Sequence, residues 1–436
     1  MIDIKLIREQ PDVVKAACRD KGSSVSSAEV DELLKLDKQR LELMAKADEV
    51  RRERNEVAAG AKAGKPDAKQ IERGKGLKEQ LAKLEEQVAK VEADWLSILK
   101  RIPNVPAADV PVGKSEDDNV VAKTWGEPTK FDFEPKNHWE LGLQHDWIDK
   151  ERAAKVAGGR FAYVKGGLVR LQWALMQFGM DVLTDEPTLA AIAREAGLEG
   201  RVSTKPFVPV LPPLMLRTDV YEATGRLNKE EQTYKLEDDD LWLEASAEHS
   251  LAPMYKDEIL AEADLPIRYL GYATSFRREA GTYGKDMEGM FRLHQFDKLE
   301  MESFTTAEAS ADEHLFMIAI QEHLMQRLEI PYQVIMKCTA DIGGPNARGV
   351  DINAWLPGQG KYRETHTADL ITDYQARRLQ TRVRRAGGEV ELVHTNDATA
   401  FAQRPLIAIL ENYQQSDGNV RVPEALRPYM GGRSVV

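Results

Sequence analysis

Between residues 33 and 102 the apolar positions recur with the period of paired helices. Leu36, Leu43, Val50 and Val57 fall seven apart, with Leu33 and Ala47 near the intermediate positions. Further along, Leu77, Leu81, Leu84, Val88, Val91, Trp95, Ile98 and Ile102 alternate spacings of four and three, which is the seam of a coiled coil. The stretch from Ala59 to Asp67 holds two glycines and a proline, residues that end a helix and reverse the path. The pattern therefore predicts an antiparallel helical hairpin over about 28–102. A helix of roughly 35 residues reaches about 50 Å, so the tip of such an arm lies far from any compact domain.

Other segments read differently. Ile4, Ile7, Val13, Val14 and Ala17 have helical spacing broken by Pro11, a short helical cap at the base of the arm. After Ile102 come Pro103-Asn104-Val105-Pro106 and Pro111-Val112-Gly113, and the domain boundary is placed there: a helical domain over 1–106 and a second domain over 107–436. The second domain mixes helical stretches, Gly167–Leu183 and Ala307–Leu328, with short β-type runs at Gln333–Met336 and Glu391–Val393. No strict β-α alternation is present, and neither is a GxxxxGK[ST] or GxGxxG loop. A nucleotide, if bound, is not held by a P-loop or Rossmann site. The fold class expected is α+β.

Composition narrows the function classes. The 436 residues carry 60 Lys+Arg against 72 Asp+Glu, a net charge of −12, which argues against indiscriminate coating of nucleic acid. The arm departs from that balance. From Lys35 to Arg101 there are 17 basic and 13 acidic residues. Arg51, Arg52 and Arg54 cluster towards the tip, and Arg73 and Lys75 lie on the returning helix. Phosphate binding along the arm is one reading; solvated faces of a coiled coil, or a dimerising hairpin, is the other. Cys18 and Cys338 are single and far apart, so no disulfide framework or cysteine zinc site is expected. No run approaches the ~18 apolar residues of a membrane span, and charges at Asp3 and Lys5 stand where a signal peptide has its apolar core. A soluble, cytoplasmic protein is expected.

Three segments concentrate charged and aromatic residues beside apolar runs. They are Thr274–Gly281 continuing through Tyr283–Asp286 to Glu300, then Tyr362–Thr367, and Arg404–Asn412. An arginine beside an acidic partner can bind phosphate while the partner holds a metal or an amine; each pair taken alone also reads as a surface ion pair. His138, His249 and His394 show no metal-ligand spacing.

Together these segments resemble the class II aminoacyl-tRNA synthetases. Phe276-Arg277-Arg278-Glu279 looks like their motif 2, Arg404 with its following apolar helix like motif 3, and Pro209–Pro213 like motif 1. Glu411-Asn412-Tyr413-Gln414, the tail from Val422 to Gly432, Tyr374–Arg378 and the N-terminal hairpin are similar to the seryl-tRNA synthetase family in particular. The resemblance runs the length of the chain in order. It implies a coiled-coil arm followed by a catalytic domain built on an antiparallel sheet flanked by helices.

The resemblance also implies roles. Arg277 would hold the α-phosphate and Arg404 the γ-phosphate of ATP, with Glu279 contacting the nucleotide and Phe296 stacking on adenine. Arg278, Leu293, His294, Gln295, Thr365, His366 and Thr367 would complete the ATP site, and Glu364 would bind Mg²⁺. Ser246, Ala247, Glu248, Arg277, Glu300 and Thr399 would form the serine site. Arg51, Arg52, Arg54, Arg73 and Lys75 would contact tRNA(Ser), and the selenocysteine tRNA, being shaped alike, is a second candidate. A homodimer through motif 1 is implied, and no zinc. The sequence departs from the family at Ser246 where threonine is common, at His366 and at Asn396-Asp397-Ala398-Thr399. A slightly roomier pocket at Ser246 predicts minor activation of threonine, since one methyl is worth only about 1–3 kcal/mol. Two alternatives remain: a synthetase-like ligase that loads a carrier protein, which would lack the arm, and an inactive paralogue serving as an RNA or protein scaffold.

Overall fold

The computed structural model describes residues 1–62, 68–227, 233–279 and 289–436. The reversal of the arm and the Gly281–Asp286 part of the motif 2 element lie outside the described residues. The chain divides into two compact units, Met1–Val105 and Pro106–Val436.

Among the described residues the first unit holds helices and no strand. Helix α1 (Ile4–Glu9) is capped by Asp3, and α2 (Pro11–Asp20) starts on Pro11, where its missing N–H costs nothing. Helices α3 (Ser27–Lys62) and α4 (Ala68–Leu99) form the arm. A capping box opens α3: the Ser26 hydroxyl accepts from the Glu29 backbone N–H while the Glu29 carboxylate accepts from that of Ser26. The antiparallel pairing shows in the ion pairs across it. Glu29 meets Arg101, Arg40 meets Glu92, Arg51 meets Glu85 and Glu53 meets Arg73, so one number falls as the other rises.

The apolar seam is only partly the one read from spacing. Ala47, Val50, Leu77 and Leu81 make a buried cluster with Val57 and Leu84 against it. Nearer the base, Leu36 and Leu43 are half-buried, and Asp37 is buried in the seam. Asp37 accepts from Arg8 at 2.6 Å and pairs with Arg40 at 3.5 Å, while Arg40 stacks over Trp95 at 4.2 Å. Apolar periodicity cannot see such a layer, because the partners that hold Asp37 and Arg40, Arg8 and Glu92, lie on other helices.

The second unit is built on an eight-stranded sheet. In chain order its strands are β1 (Val120–Trp125), β2 (Val208–Val210), β3 (Ile267–Phe276), β4 (Gln295–Thr305), β5 (Tyr332–Met336), β6 (Arg348–Leu356), β7 (Lys361–Thr372) and β8 (His394–Phe401). The spatial order is β1-β5-β6-β7-β8-β4-β3-β2. Every neighbouring pair is antiparallel except β2 with β3 at the edge. That one parallel pair is the departure from the expected antiparallel sheet. Helices α5 (Gly167–Thr184), α6 (Ser310–Arg327) and α7 (Gln403–Asn412) pack on one face, and their apolar sides join Leu299, Met301, Ile352 and Phe401 in the main core. A buried bidentate pair, Arg268 on β3 with Glu313 on α6 at 2.6 and 2.7 Å, ties helix to sheet. The opposite face of the sheet carries polar side chains, and the cavity lies there.

Candidate active site

A cavity of about 510 Å³ is lined from three central strands, β4, β7 and β8, from the loops that follow β3 and β5, from the segment around Ser246, and from the start of α7. Alternation along a strand sets which residues enter it. On β4, Phe296, Lys298 and Glu300 line the cavity while Leu299 and Met301 enter the core. On β8, Asp397 and Thr399 line it while Ala398 and Ala400 face the core.

On β7 a register shift does the aiming. Glu364 pairs with Asn353 and His366 with Ile352, leaving Thr365 as the extra residue of a bulge. Glu364, Thr365 and Thr367 therefore all reach the cavity, whereas the side chain of His366 turns away. It is 1% exposed, close to Phe401, with Nδ1 at 2.8 Å from the Thr365 hydroxyl. Burial pushes this imidazole down to about 3, so it is neutral in the folded chain.

One end of the cavity is rich in cations. Arg404, in the first turn of α7, pairs with the Glu364 carboxylate at 2.7 Å and lies over the Phe291 ring at 4.6 Å. Arg277 follows β3; its Nε donates to the Ala245 carbonyl and its guanidinium lies 5.2 Å from the Phe296 centroid. Glu279 has φ +49°, an uncommon conformation outside glycine, and its carboxylate accepts from Arg292 at 3.1 Å. Leu293 and Lys337 complete this end.

The other end is acidic. Ser246 precedes the short helix Glu248–Leu251, and this segment lies close over β3 because position 271 is glycine. A Cβ there would stand 2.7 Å from Leu251 and 3.0 Å from Ala247. The Ser246 hydroxyl accepts from the Lys298 ammonium at 3.1 Å, and Lys298 also pairs with Glu300. Glu248 accepts from Arg226 and Gln375, both at 2.7 Å. Although burial opposes its charge, Arg226 keeps the Glu248 carboxyl below its ordinary value. His249, behind it, is pushed down to about 3 by burial and shares 2.7 Å with the Tyr221 hydroxyl.

Of the residues singled out from sequence, Ser246, Glu248, Arg277, Glu279, Leu293, Phe296, Glu300, Glu364, Thr365, Thr367, Thr399 and Arg404 share this cavity. The others do not line it. Ala247 packs with Leu251 and Ala273, Arg278 stacks on Tyr234, and His294 bonds the Arg277 carbonyl beside Phe161. Gln295 lines a neighbouring apolar cavity of about 430 Å³ that shares Leu293 and Phe296. On the arm, Arg51 is paired with Asp48 and Glu85, and Arg73 with Glu53; Arg52 and Lys75 are exposed and Arg54 half-buried. Sequence reasoning missed Arg226, Arg292, Lys298, Lys337, Asp369 and Asp397 as lining residues. Lys298 was within reach, since it lies two residues from both Phe296 and Glu300 on one strand. Arg226 gave no signal; it follows Gly225, which has φ +77°, after the short helix Thr218–Thr224.

The sheet, with motif-like arginines at the end of β3 and the start of α7, defines the core of a class II aminoacyl-tRNA synthetase. The model of the tRNA synthetase class II core domain (G, H, P, S and T) matches residues 233–413, and that of the seryl-tRNA synthetase N-terminal domain matches residues 1–106. A serine-tRNA ligase of Dictyoglomus turgidum is 40% identical over 436 residues, covering 99% of this chain and 98% of its own. One from Nitratidesulfovibrio vulgaris is 41% identical over 99% of this chain and 98% of its own. The crystal structure of seryl-tRNA synthetase from Pyrococcus horikoshii complexed with ATP superposes with a TM-score of 0.88 at 38% identity, covering 100% of this chain and 99% of that one. The chain belongs to the seryl-tRNA synthetase family.

Proposed function

We propose that this chain activates L-serine with ATP and transfers the seryl group to tRNA(Ser). The observation that carries the reading is the polarity of the cavity: Arg277, Arg292, Arg404 and Lys337 gather at one end, and Glu248, Glu300, Lys298 and Ser246 at the other. Triphosphate suits the first end and a small amino acid the second. In the first step the serine carboxylate attacks the α-phosphorus and pyrophosphate leaves. The reaction asks for charge neutralisation and alignment rather than proton transfer. Arg277, which reaches from the nucleotide end towards Ala245, would hold the α-phosphate, and Arg404 the γ-phosphate. Phe296 would stack on adenine, with Glu279 and Leu293 at its edge. Glu248 would take the α-ammonium, and Glu300 and Thr399 the side-chain hydroxyl. In the second step the 3′-terminal ribose hydroxyl of tRNA displaces AMP.

Magnesium fits the donor set in one way. Among the described residues no group of three His, Cys, Asp or Glu could hold a metal. The single Glu364 carboxylate would have to share it with phosphate oxygens, which is how Mg²⁺ accompanies nucleotides. When bound there the ion supplies further neutralisation of phosphate charge.

The arm is proposed to bind the long variable arm of tRNA(Ser) by shape and backbone, through Arg52, Arg54, Lys75 and their ion-paired neighbours Arg51 and Arg73. We also propose a homodimer through the surface near Pro209–Pro213. There β2 is an edge strand, and Val208 is 52% and Leu211 81% exposed. No helix among the described residues is long and apolar enough to cross a membrane; a cytoplasmic location is part of the proposal.

ATP–pyrophosphate exchange with serine, threonine, alanine, cysteine and glycine, followed by charging of a tRNA(Ser) transcript with and without its variable arm, tests the reading. Serine-dependent exchange and arm-dependent charging are expected. Exchange without any charging would replace it with a carrier-protein ligase, and absence of exchange would end it.

A further inference from the structure

The amino-acid end of the cavity holds more carboxyl groups than serine needs. Glu248, Glu300, Asp369 and Asp397 line it and are buried, and Glu244 and Glu302 are buried two residues from Ser246 and Glu300. Arg226 and Lys298 face them, with Arg277 nearby. Both buried cations are already engaged: Arg226 by Glu248, with Asp397 and Asp369 farther off at 3.5 and 3.6 Å, and Lys298 by Glu300 and Ser246.

Asp397 has only its 3.5 Å hydrogen bond from Arg226, Glu302 has no hydrogen-bond partner among the described residues, and the sheet sets the two side by side. Asp397 on β8 is in register with Glu302 on β4, and Asp369 on β7 with Asp397. Three carboxyls thus form one row across adjacent strands. Glu302 follows Lys298 and Glu300 at two-residue intervals, so it points to the face those residues line. It is fully buried, and neither carboxyl oxygen has a hydrogen-bond partner among the described residues. Asp397 itself lines the cavity. Such groups are costly in an empty site, where apolar side chains of similar volume would be more stable. A ligand group that pairs with them removes the cost.

We propose that the cavity accepts, beside serine, its isostere with an amino group in place of the hydroxyl, L-2,3-diaminopropionate, whose side-chain amine pairs with Asp397, with Glu302 beside it. This rests on the reading that the cavity activates serine. The two amino acids have the same heavy-atom skeleton, so the space that takes one takes the other. Burial first, and the neighbouring carboxylates second, push both the Glu302 and Asp397 carboxyls well up. Asp397 can hand its proton to an incoming neutral amine and pair with the ammonium formed, with no change in the number of bound protons. Activation then follows the course for serine: the α-carboxylate oxygen bonds to the α-phosphorus of ATP, the bond to the bridging oxygen breaks, and pyrophosphate leaves with its electron pair.

The test is ATP–pyrophosphate exchange by the full chain with L-serine, L-2,3-diaminopropionate and L-alanine. The diamino acid should support exchange with kcat/KM within about tenfold of serine, and well above alanine. Glu302→Gln should lower the diamino acid's value about tenfold more than serine's, and Asp397→Asn is the second variant should the first not fold. Serine-dependent exchange with none from the diamino acid overturns the proposal. So does alanine matching the diamino acid, or a folded variant that lowers both substrates equally. Exchange with the diamino acid alone overturns the serine reading and with it the proposal that the cavity takes both, and exchange with none of the three ends the synthetase reading altogether.

Discussion

Arg404 and Glu364 illustrate how much a single contact can carry. They lie 40 residues apart in sequence and 2.7 Å apart in the cavity, so a charge on either is balanced until a triphosphate arrives. On the proposed roles, Arg404→Ala should lower the rate of serine-dependent pyrophosphate exchange by about 10²–10³, and stopped-time exchange assays measure it. Glu364→Gln should leave the fold intact and raise the magnesium concentration needed for half-maximal exchange. A magnesium titration that is unchanged would remove Glu364 from that role. Glu244 gives a pH prediction. It is fully buried, and burial raises its carboxyl to about 8, so the folded chain holds a proton there that the unfolded chain releases near its ordinary 4.5. Its stability contribution is complete below 4.5 and is lost as pH rises through 8. Glu244→Gln should therefore lose less Tm than the parent between pH 6 and pH 9, by calorimetry. Equal losses would show that Glu244 ionises normally.

At the scale of elements, two arrangements make separable predictions. The buried Arg268–Glu313 pair joins β3 to α6 with both side chains almost fully enclosed. Removing one partner strands a buried charge, and Glu313→Ala should cost about 3–5 kcal/mol in denaturant unfolding, whereas an exposed pair such as Lys155 with Glu151 should cost under about 1 kcal/mol. The arm is tested by charge. Reversing Arg52, Arg54 and Lys75 to glutamate should weaken tRNA charging and flatten its salt dependence, while pyrophosphate exchange without tRNA stays as it was. A fall in both would show that the arm supports the fold of the chain rather than the RNA. The arm also shows where periodicity misleads: Leu99, not Ile98, is fully enclosed near the end of α4, and the Asp37–Arg40 layer interrupts the apolar seam of α3.

For the whole molecule, the division at Val105 and Pro106 suggests that the two units can be separated. If the proposed domain roles hold, residues 106–436 alone should retain serine-dependent exchange and lose charging of tRNA(Ser), and loss of exchange would mean that the first unit is needed for the adenylate step. Features that are repeated or local are legible in the chain without coordinates. The heptads, the proline-rich boundary after Ile102 and the motif-like runs around Arg277 and Arg404 are consecutive residues whose meaning survives without coordinates. Only the tertiary structure decided the rest, because it depends on which strands are neighbours. The bulge at Thr365 that sends Glu364 into the cavity and His366 out of it follows from pairing with β6. The row of Glu302, Asp397 and Asp369 exists because β4, β8 and β7 are adjacent, although residues 306–360 separate the first strand from the third in the chain. Burial, which sets whether each of those carboxyls keeps its proton, is a property of the packed sheet and its helices and of no single stretch of residues.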